Sequence, residues 1–192
     1  MLSYVFWHWK KPEVSAAQYE ADLARFHRAL AFNPSPGFSR SYTMAIRGAP
    51  WANHATDAYE DWYLLTDSAA LDPLNEAAVS GHRQAPHDSA AAGAAGGTGG
   101  LYRLRIGVPT EAPRFAYWFA KPAGMSYTDL FDALRPTVHE TGAVLWGRQM
   151  TLGPALEFCL HASRRCMLPS DLAVVEIQSR PVWPARDSPG AP

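Results

Sequence analysis

Two stretches of the chain carry the same pattern of apolar and polar positions, and the remaining elements are arranged around them. Residues 2–10 form an aromatic run in which Tyr4, Phe6 and His8 fall on one face of a strand and Val5, Trp7 and Trp9 on the other, because strand side chains alternate. Both faces are bulky, so both are expected to be covered. Lys11-Pro12 stops the strand, and Ser15 is placed to cap a helix, with Gln18 at the reciprocal capping-box position. Tyr19, Leu23, Phe26 and Leu30 then recur at helical spacing, with His27 at the edge of their stripe. The pattern starts again at residue 115: Phe-Ala-Tyr-Trp-Phe-Ala-Lys-Pro repeats the aromatic strand with its Lys-Pro ending, and residues 126–140 repeat the helix with Leu130, Leu134 and Val138.

Between the two copies, the turn residues Asn33-Pro-Ser-Pro-Gly37 lead to a strand over 38–47, a loop over 48–57 and a strand over 58–65. Thr66-Asp-Ser68 opens a second helical segment carrying Leu71, Leu74 and Val79. A polar stretch over 81–88 runs into residues 89–100, so rich in glycine and alanine that they read as a mobile loop, and a strand follows over 101–107. The order is strand, helix, strand, strand, helix, strand, the split ferredoxin-like pattern. Residues 109–113 are the linker. Further strands are expected over 143–152, 156–162 and 172–178, with too few residues between the last two for a full helix and its loops. The fold class is therefore α+β: two tandem ferredoxin-like βαββαβ units, over 1–108 and 114–184, the second with a truncated second helix, followed by a disordered tail over 185–192. A period of roughly 110 residues means two related units and not a solenoid.

Composition changes this picture little. An apolar content of 47% with 12% aromatics in 192 residues supplies a well-packed core. A net charge of -1 gives no electrostatic footprint for nucleic acid or an anionic membrane, and no apolar stretch reaches the roughly 18 residues a spanning helix needs. With no leader-like segment at the start, the expectation is a cytoplasmic protein. Its two cysteines, Cys159 and Cys166, lie outside any C-x-x-C pair and read as free thiols.

The candidate chemistry lies on the aromatic strands and in the polar stretch. His27 is placed to project over the sheet as a general base; the alternative is a hydrogen-bonded residue at the stripe's edge. His8 shares its face with Tyr4 and Phe6, so a ligand there would meet an imidazole in an aromatic wall, and the alternative is a satisfied core histidine. His82, Arg83, His87 and Asp88 are the densest polar cluster, suited to a His-Asp proton-transfer pair or a carboxylate-binding site under a glycine-rich lid, or to a solvated loop. The spacing of His82 and His87, with Pro86 between them, argues against metal ligation. Tyr59, Asp61 and Tyr63 share one face of the third strand, opposite Glu60, Trp62 and Leu64, and carboxylates there either face a polar cavity or pair with Arg40, Arg103 or Arg105, with the ion pair the favoured reading. Trp146, Arg148 and Met150, with His161 on a nearby strand, form a weaker second candidate. No zinc, Walker or nucleophile-elbow motif occurs, and Gly96-Gly-Thr-Gly-Gly100 precedes a strand where a dinucleotide fingerprint would follow one.

Two split units in tandem resemble the dimeric α/β-barrel superfamily, in which two four-stranded sheets face each other, usually across a subunit dimer. Here one chain could supply both sheets, and a homodimer remains open. Tyr19 with Phe26-His27-Arg28-Ala29-Leu30 is similar to the aromatic-x-basic helix of EthD-like proteins, whereas the second half offers Pro136-Thr-Val-His139. The resemblance implies a small-molecule enzyme, EthD-like or a cofactor-independent monooxygenase or isomerase, acting on an aromatic or polyketide-like compound by His-assisted proton transfer. In that reading His27, His82, His87 and Asp88 move protons, and Tyr4, His8, Trp62, Tyr63 and Arg103 bind the substrate. No cofactor is expected. Two other readings stay open: a non-catalytic binding or assembly protein, and a haem protein with His8, His27 or His139 as axial ligand.

Overall fold

A computed structural model describes residues 1–52 and 58–184; the tail expected over 185–192 and part of the loop expected over 48–57 lie outside the described residues. Among the described residues there are eight strands and four α-helices. The strands are β1 (Leu2–Lys10), β2 (Phe38–Arg47), β3 (Ala58–Leu65), β4 (Ala94–Ile106), β5 (Phe115–Phe119), β6 (Val144–Arg148), β7 (Phe158–Ala162) and β8 (Val175–Trp183). The helices are α1 (Ala16–Phe32), α2 (Leu71–Ala78), α3 (Gln84–Gly93) and α4 (Tyr127–Thr141). All neighbouring strands are antiparallel and close into a barrel in the order β1-β3-β2-β8-β5-β7-β6-β4. The first four strands run β4-β1-β3-β2 around it and the last four β8-β5-β7-β6. No helix among the described residues is long and apolar enough to cross a membrane.

Closure divides every strand between two environments. One set of alternate residues, including Val5, Trp7, Met44, Trp62, Tyr102, Trp118 and Trp146, fills the lumen. The other set faces outward under the helices: α1, α2 and α3 cover the first four strands with Tyr19, Leu23, Phe26, Leu74 and Ala90, and α4 covers the last four with Leu130, Leu134 and Val138. Ser15 caps α1 through its side chain, which accepts from the Gln18 N–H at 3.2 Å, but Gln18 bonds Asp22 and leaves the reciprocal half of the expected box unformed. Helix α4 begins under the Ser126 cap and ends at Gly142, whose φ of 68° suits glycine.

Residues 89–100 depart most from expectation. They are the end of α3 and the start of β4, and the glycines pair in register with the aromatic strand: Gly96 opposite Trp9, Gly97 opposite His8, Gly99 opposite Phe6. A Cβ on Gly97 would lie 2.3 Å from the Phe6 ring, and one on Gly99 2.8 Å from the Tyr4 ring. Glycine thus makes room for the large side chains of β1 to lie over β4, and the glycine-rich lid does not exist. Pro86 does not interrupt α3 either, because it sits in the first turn, where its missing N–H has no partner to lose. We expect Gly97→Ala to cost about 1–3 kcal/mol by overpacking against Phe6, measured as a lowered denaturant midpoint with unchanged m-value.

The later strands also shift. β6 stops at Arg148, after which Met150 takes a positive φ of 56°, and β8 starts at Val175 and runs to Trp183. No helix forms between β7 and β8. Cys159 and Cys166 are free thiols.

Candidate functional site

A cavity of about 500 Å³ lies between the outer face of the first four strands and helices α1, α2 and α3. Its floor is the face of β1 and β3 on which Tyr4, Phe6, His8, Asp61 and Tyr63 stand; Tyr19, Leu23 and Phe26 of α1, with Leu74 and Ala90 from α2 and α3, form its walls. The β1–β3 register assembles the floor by setting His8 opposite Tyr59, Phe6 opposite Asp61 and Tyr4 opposite Tyr63.

At the deep end, one carboxylate serves two imidazoles. Asp61 Oδ1 lies 3.3 Å from His8 Nε2 and 3.4 Å from His27 Nε2, at ion-pair distance without full hydrogen-bond alignment, and Oδ2 accepts from the Tyr63 hydroxyl at 2.8 Å. The far nitrogens are also engaged: His8 Nδ1 with the Tyr19 hydroxyl at 2.7 Å, and His27 Nδ1 with the Ser41 hydroxyl at 2.7 Å. A carboxylate only accepts, so the partners place the proton of each neutral imidazole on Nε2 and make each Nδ1 an acceptor from its hydroxyl. Tyr19, His8, Asp61, His27 and Ser41 thus stand in series, joined by two hydrogen bonds at the ends and two ion-pair contacts in the middle. All three central side chains are buried, with exposures of 1%, 2% and 0% for His8, Asp61 and His27.

Burial alone would raise the Asp61 carboxyl, but the fields of His8 and His27 outweigh it and hold the group well below the usual carboxylate range. It is a fixed buried anion. Burial first, and the Asp61 charge second, push the phenols of Tyr4, Tyr19 and Tyr63 up, so all three remain donors. The arrangement is suited to accepting a proton at His8 Nδ1, by way of the Tyr19 hydroxyl, and stabilising the imidazolium through Asp61.

The structure divides the expected site residues. Tyr4, His8, Tyr63 and His87 line the cavity, while His27 is fully buried beside it, its Nε2 3.4 Å from Asp61 and its ring stacked on Tyr63 at 5.3 Å. His87 stands at the mouth on α3, its ring edge-on to Phe26 at 5.4 Å and its Nδ1 3.1 Å from the exposed Asp88 carboxylate. His82 is exposed and donates to the Ala29 carbonyl at 3.1 Å; Arg83 likewise ties down the Asn33 carbonyl. These two fasten α1 to the segment preceding α3, outside the cavity. Trp62 points into the lumen because strand alternation sends it away from Asp61 and Tyr63, and Arg103 is exposed on β4, bonded to Gln149 at 3.1 Å. Asp61 has no arginine partner of the kind expected. Arg40 donates to the carbonyls of Pro109 and Thr110, and the carboxylate instead faces Nε2 of His8 on β1 and Nε2 of His27 on α1. Trp146 and His161 belong to the lumen, whereas Met150 is exposed and Arg148 donates to the carbonyls of Gly153 and Ala155. Tyr19 and Ser41 were not singled out for chemistry; the spacing of Tyr19 four residues ahead of Leu23 and eight ahead of His27, on one helix face, was the available signal.

Neither His8 nor His27 presents a free ring nitrogen to the cavity, and His139 is exposed in the last turn of α4, so axial haem ligation does not fit these histidines. Among the described residues no cluster of three or more His, Cys, Asp or Glu is placed to hold a metal ion.

No protein-family profile and no curated protein matches the sequence. Solved structures do. A protein assigned as a monooxygenase from Lactobacillus acidophilus superposes with a TM-score of 0.50 at 8% identity, over 85% of this chain and 77% of the other. SnoaB, a cofactor-independent oxygenase from Streptomyces nogalater, gives 0.42 at 19% identity over 57% of this chain and 97% of its own. A chlorite dismutase from Candidatus Nitrospira defluvii gives 0.47 at 11% identity over 94% and 91%. At such identities the likeness is one of α+β barrel fold alone.

Proposed function

We propose that the protein is a small-molecule enzyme that removes a proton from an aromatic or polyketide-like ring compound held in the cavity under α1. The observation that carries this reading is the buried Asp61 carboxylate backing His8 at 3.3 Å, with His8 and Tyr19 both opening on an aromatic cavity of about 500 Å³. A cavity of that size takes a compound of two or three fused rings. As the acidic proton of the bound ring passes to the Tyr19 oxygen, the Tyr19 proton moves to His8 Nδ1, and Asp61 holds the resulting imidazolium. The enolate left behind is electron-rich enough to meet dioxygen directly, which is cofactor-free oxygenation. The names of the SnoaB and Lactobacillus proteins accord with that chemistry and do not establish it. The arrangement of the two halves, with equivalent strand orders over 1–108 and 114–184, supports reading them as a tandem ferredoxin-like duplication in which the first retains the site.

Anthrone, whose ring methylene is acidic, isolates the proton-transfer step. We expect the protein to catalyse exchange of that methylene with deuterated water in the absence of dioxygen, and His8→Gln to slow it by about 10²–10⁴-fold. Mass spectrometry of the recovered compound reads the exchange. Equal exchange by wild type and His8→Gln would reject the base, and retained tight binding without exchange would favour a non-catalytic binding protein.

A further inference from the structure

The lumen on the opposite side of β1 and β3 holds a second buried carboxylate that the proposed reaction does not use. Glu60 stands between two indoles: Trp7 donates to its Oε2 at 2.5 Å and Trp62 to its Oε1 at 2.6 Å. All three are at most 1% exposed. These indoles belong to a continuous set of rings. Trp62 lies 5.2 Å from Trp146 and 6.3 Å from Trp118, centroid to centroid, and Trp118 lies 5.7 Å from Trp7 and 5.0 Å from Trp51. Trp51, 6.1 Å from Trp7, is only partly buried and brings the set to the surface.

We propose that the Trp7–Glu60–Trp62 triad is a proton-coupled oxidation site, reached through Trp51, that gives up one electron to strong one-electron oxidants such as organic peroxyl radicals. An indole that loses an electron becomes a cation with an acidic N–H. In an apolar interior that cation is costly, but here its N–H already points at a carboxylate. The electron passes to the peroxyl radical, giving a peroxide anion that water protonates; the indole proton passes to Glu60, leaving a neutral tryptophanyl radical and a carboxylic acid. The triad goes from a net charge of minus one to zero, so oxidation removes a buried charge instead of creating one. Other ionisable groups facing Glu60 carry no competing charge. Burial pushes Tyr42 of β2, Tyr102 of β4 and Cys159 of β7 up, and His161 of β7 down to about 3, so all four are neutral. Asp61 is charged but stands on the other face of the sheet, and the charges of Arg148 and Arg40 act on Tyr102 and Tyr42.

The test is a flash experiment in which a light pulse with an electron-accepting quencher generates ruthenium(III) tris-bipyridyl beside the full chain, followed by transient absorption and electron paramagnetic resonance. At about pH 8 the wild type is expected to form neutral tryptophanyl radicals, and Glu60→Gln, which can accept a hydrogen bond but not a proton, to lower their yield about tenfold or more. The double variant Trp7→Phe/Trp62→Phe is expected to show the same loss. Near-ultraviolet circular dichroism reports folding. If the variants fail to fold, the wild type decides: its yield falls as the pH drops through about 7, where Glu60, raised by burial, takes up its proton. A yield independent of pH, or one unchanged in either folded variant, would overturn the proposal by placing the radical on other tryptophans such as Trp9 or Trp183.

Discussion

An Asp61→Asn variant is expected to fold and to lose anthrone exchange by about 10²–10⁴-fold, the range for disabling a general base through its orienting carboxylate. The carboxylate faces Nε2 of His8 and Nε2 of His27 with one oxygen, at 3.3 and 3.4 Å, and accepts from the Tyr63 hydroxyl with the other, three donors on two oxygens. An asparagine has one oxygen and an NH₂ group that must face at least one of these donors. If it faces His8, the imidazole moves its proton to Nδ1 and can no longer accept from Tyr19. If it faces Tyr63, that hydroxyl loses its acceptor in a buried site, at a cost of about 1–3 kcal/mol. The first outcome shows as a fall in kcat with little change in KM, and the second as a lowered denaturation midpoint. Exchange at the wild-type rate in folded Asp61→Asn would mean that the His8–Asp61 contact is structural.

The second large effect is a pair of opposed pH dependences in the lumen. Burial raises Glu60 from 4.5 to about 7, against the lowering effect of the Trp62 and Trp7 hydrogen bonds, and lowers His161 from 6.5 to about 3. A carboxyl whose folded value is raised contributes stability that is complete below its unfolded value and is lost as the pH rises through the folded one. For Glu60 that window runs from about 4.5 to 7 and is worth about 3 kcal/mol. A histidine whose folded value is lowered does the reverse: the unfolded chain binds the proton first, so stability is lost as the pH falls from about 6.5 to 3, by about 5 kcal/mol. Between about 4.5 and 6.5 the two slopes cancel in the wild type. Glu60→Gln is therefore expected to make stability rise with pH across that window by about 1.4 kcal/mol per unit, and His161→Phe to make it fall equally. Urea denaturation at several pH values measures both, and parallel curves for wild type and either variant would refute the assignment.

Much of the site was legible because a strand's period of two is strict. The alternation of β1 placed Tyr4, Phe6 and His8 together, and that of β3 placed Tyr59, Asp61 and Tyr63 together, before any pairing was known. The same alternation separates Trp62 from Tyr63, so naming both as substrate contacts was inconsistent with it. What pattern alone could not supply was register. Asp61 was matched with arginines on neighbouring strands, whereas the β1–β3 pairing and the approach of α1 deliver His8 and His27. Residues 89–100 were misread because their composition suits a flexible loop when considered alone; opposite Phe6, Trp7 and Trp9 it suits a strand that must pass under large rings. His27 was placed at the edge of the helix stripe, but its depth depends on how closely α1 packs on β2 and β3. Here it is fully buried, so it supports Asp61 and does not meet a ligand directly.

A crystal structure grown without dioxygen in the presence of anthrone tests the central claim most directly. The account predicts the fused rings between Phe6, Tyr4 and Leu23, with the acidic methylene or the carbonyl within about 3 Å of the Tyr19 hydroxyl and His8 behind it. Anthrone bound outside this cavity, or lying in it with its acidic carbon turned to His87 and the mouth, would contradict the account.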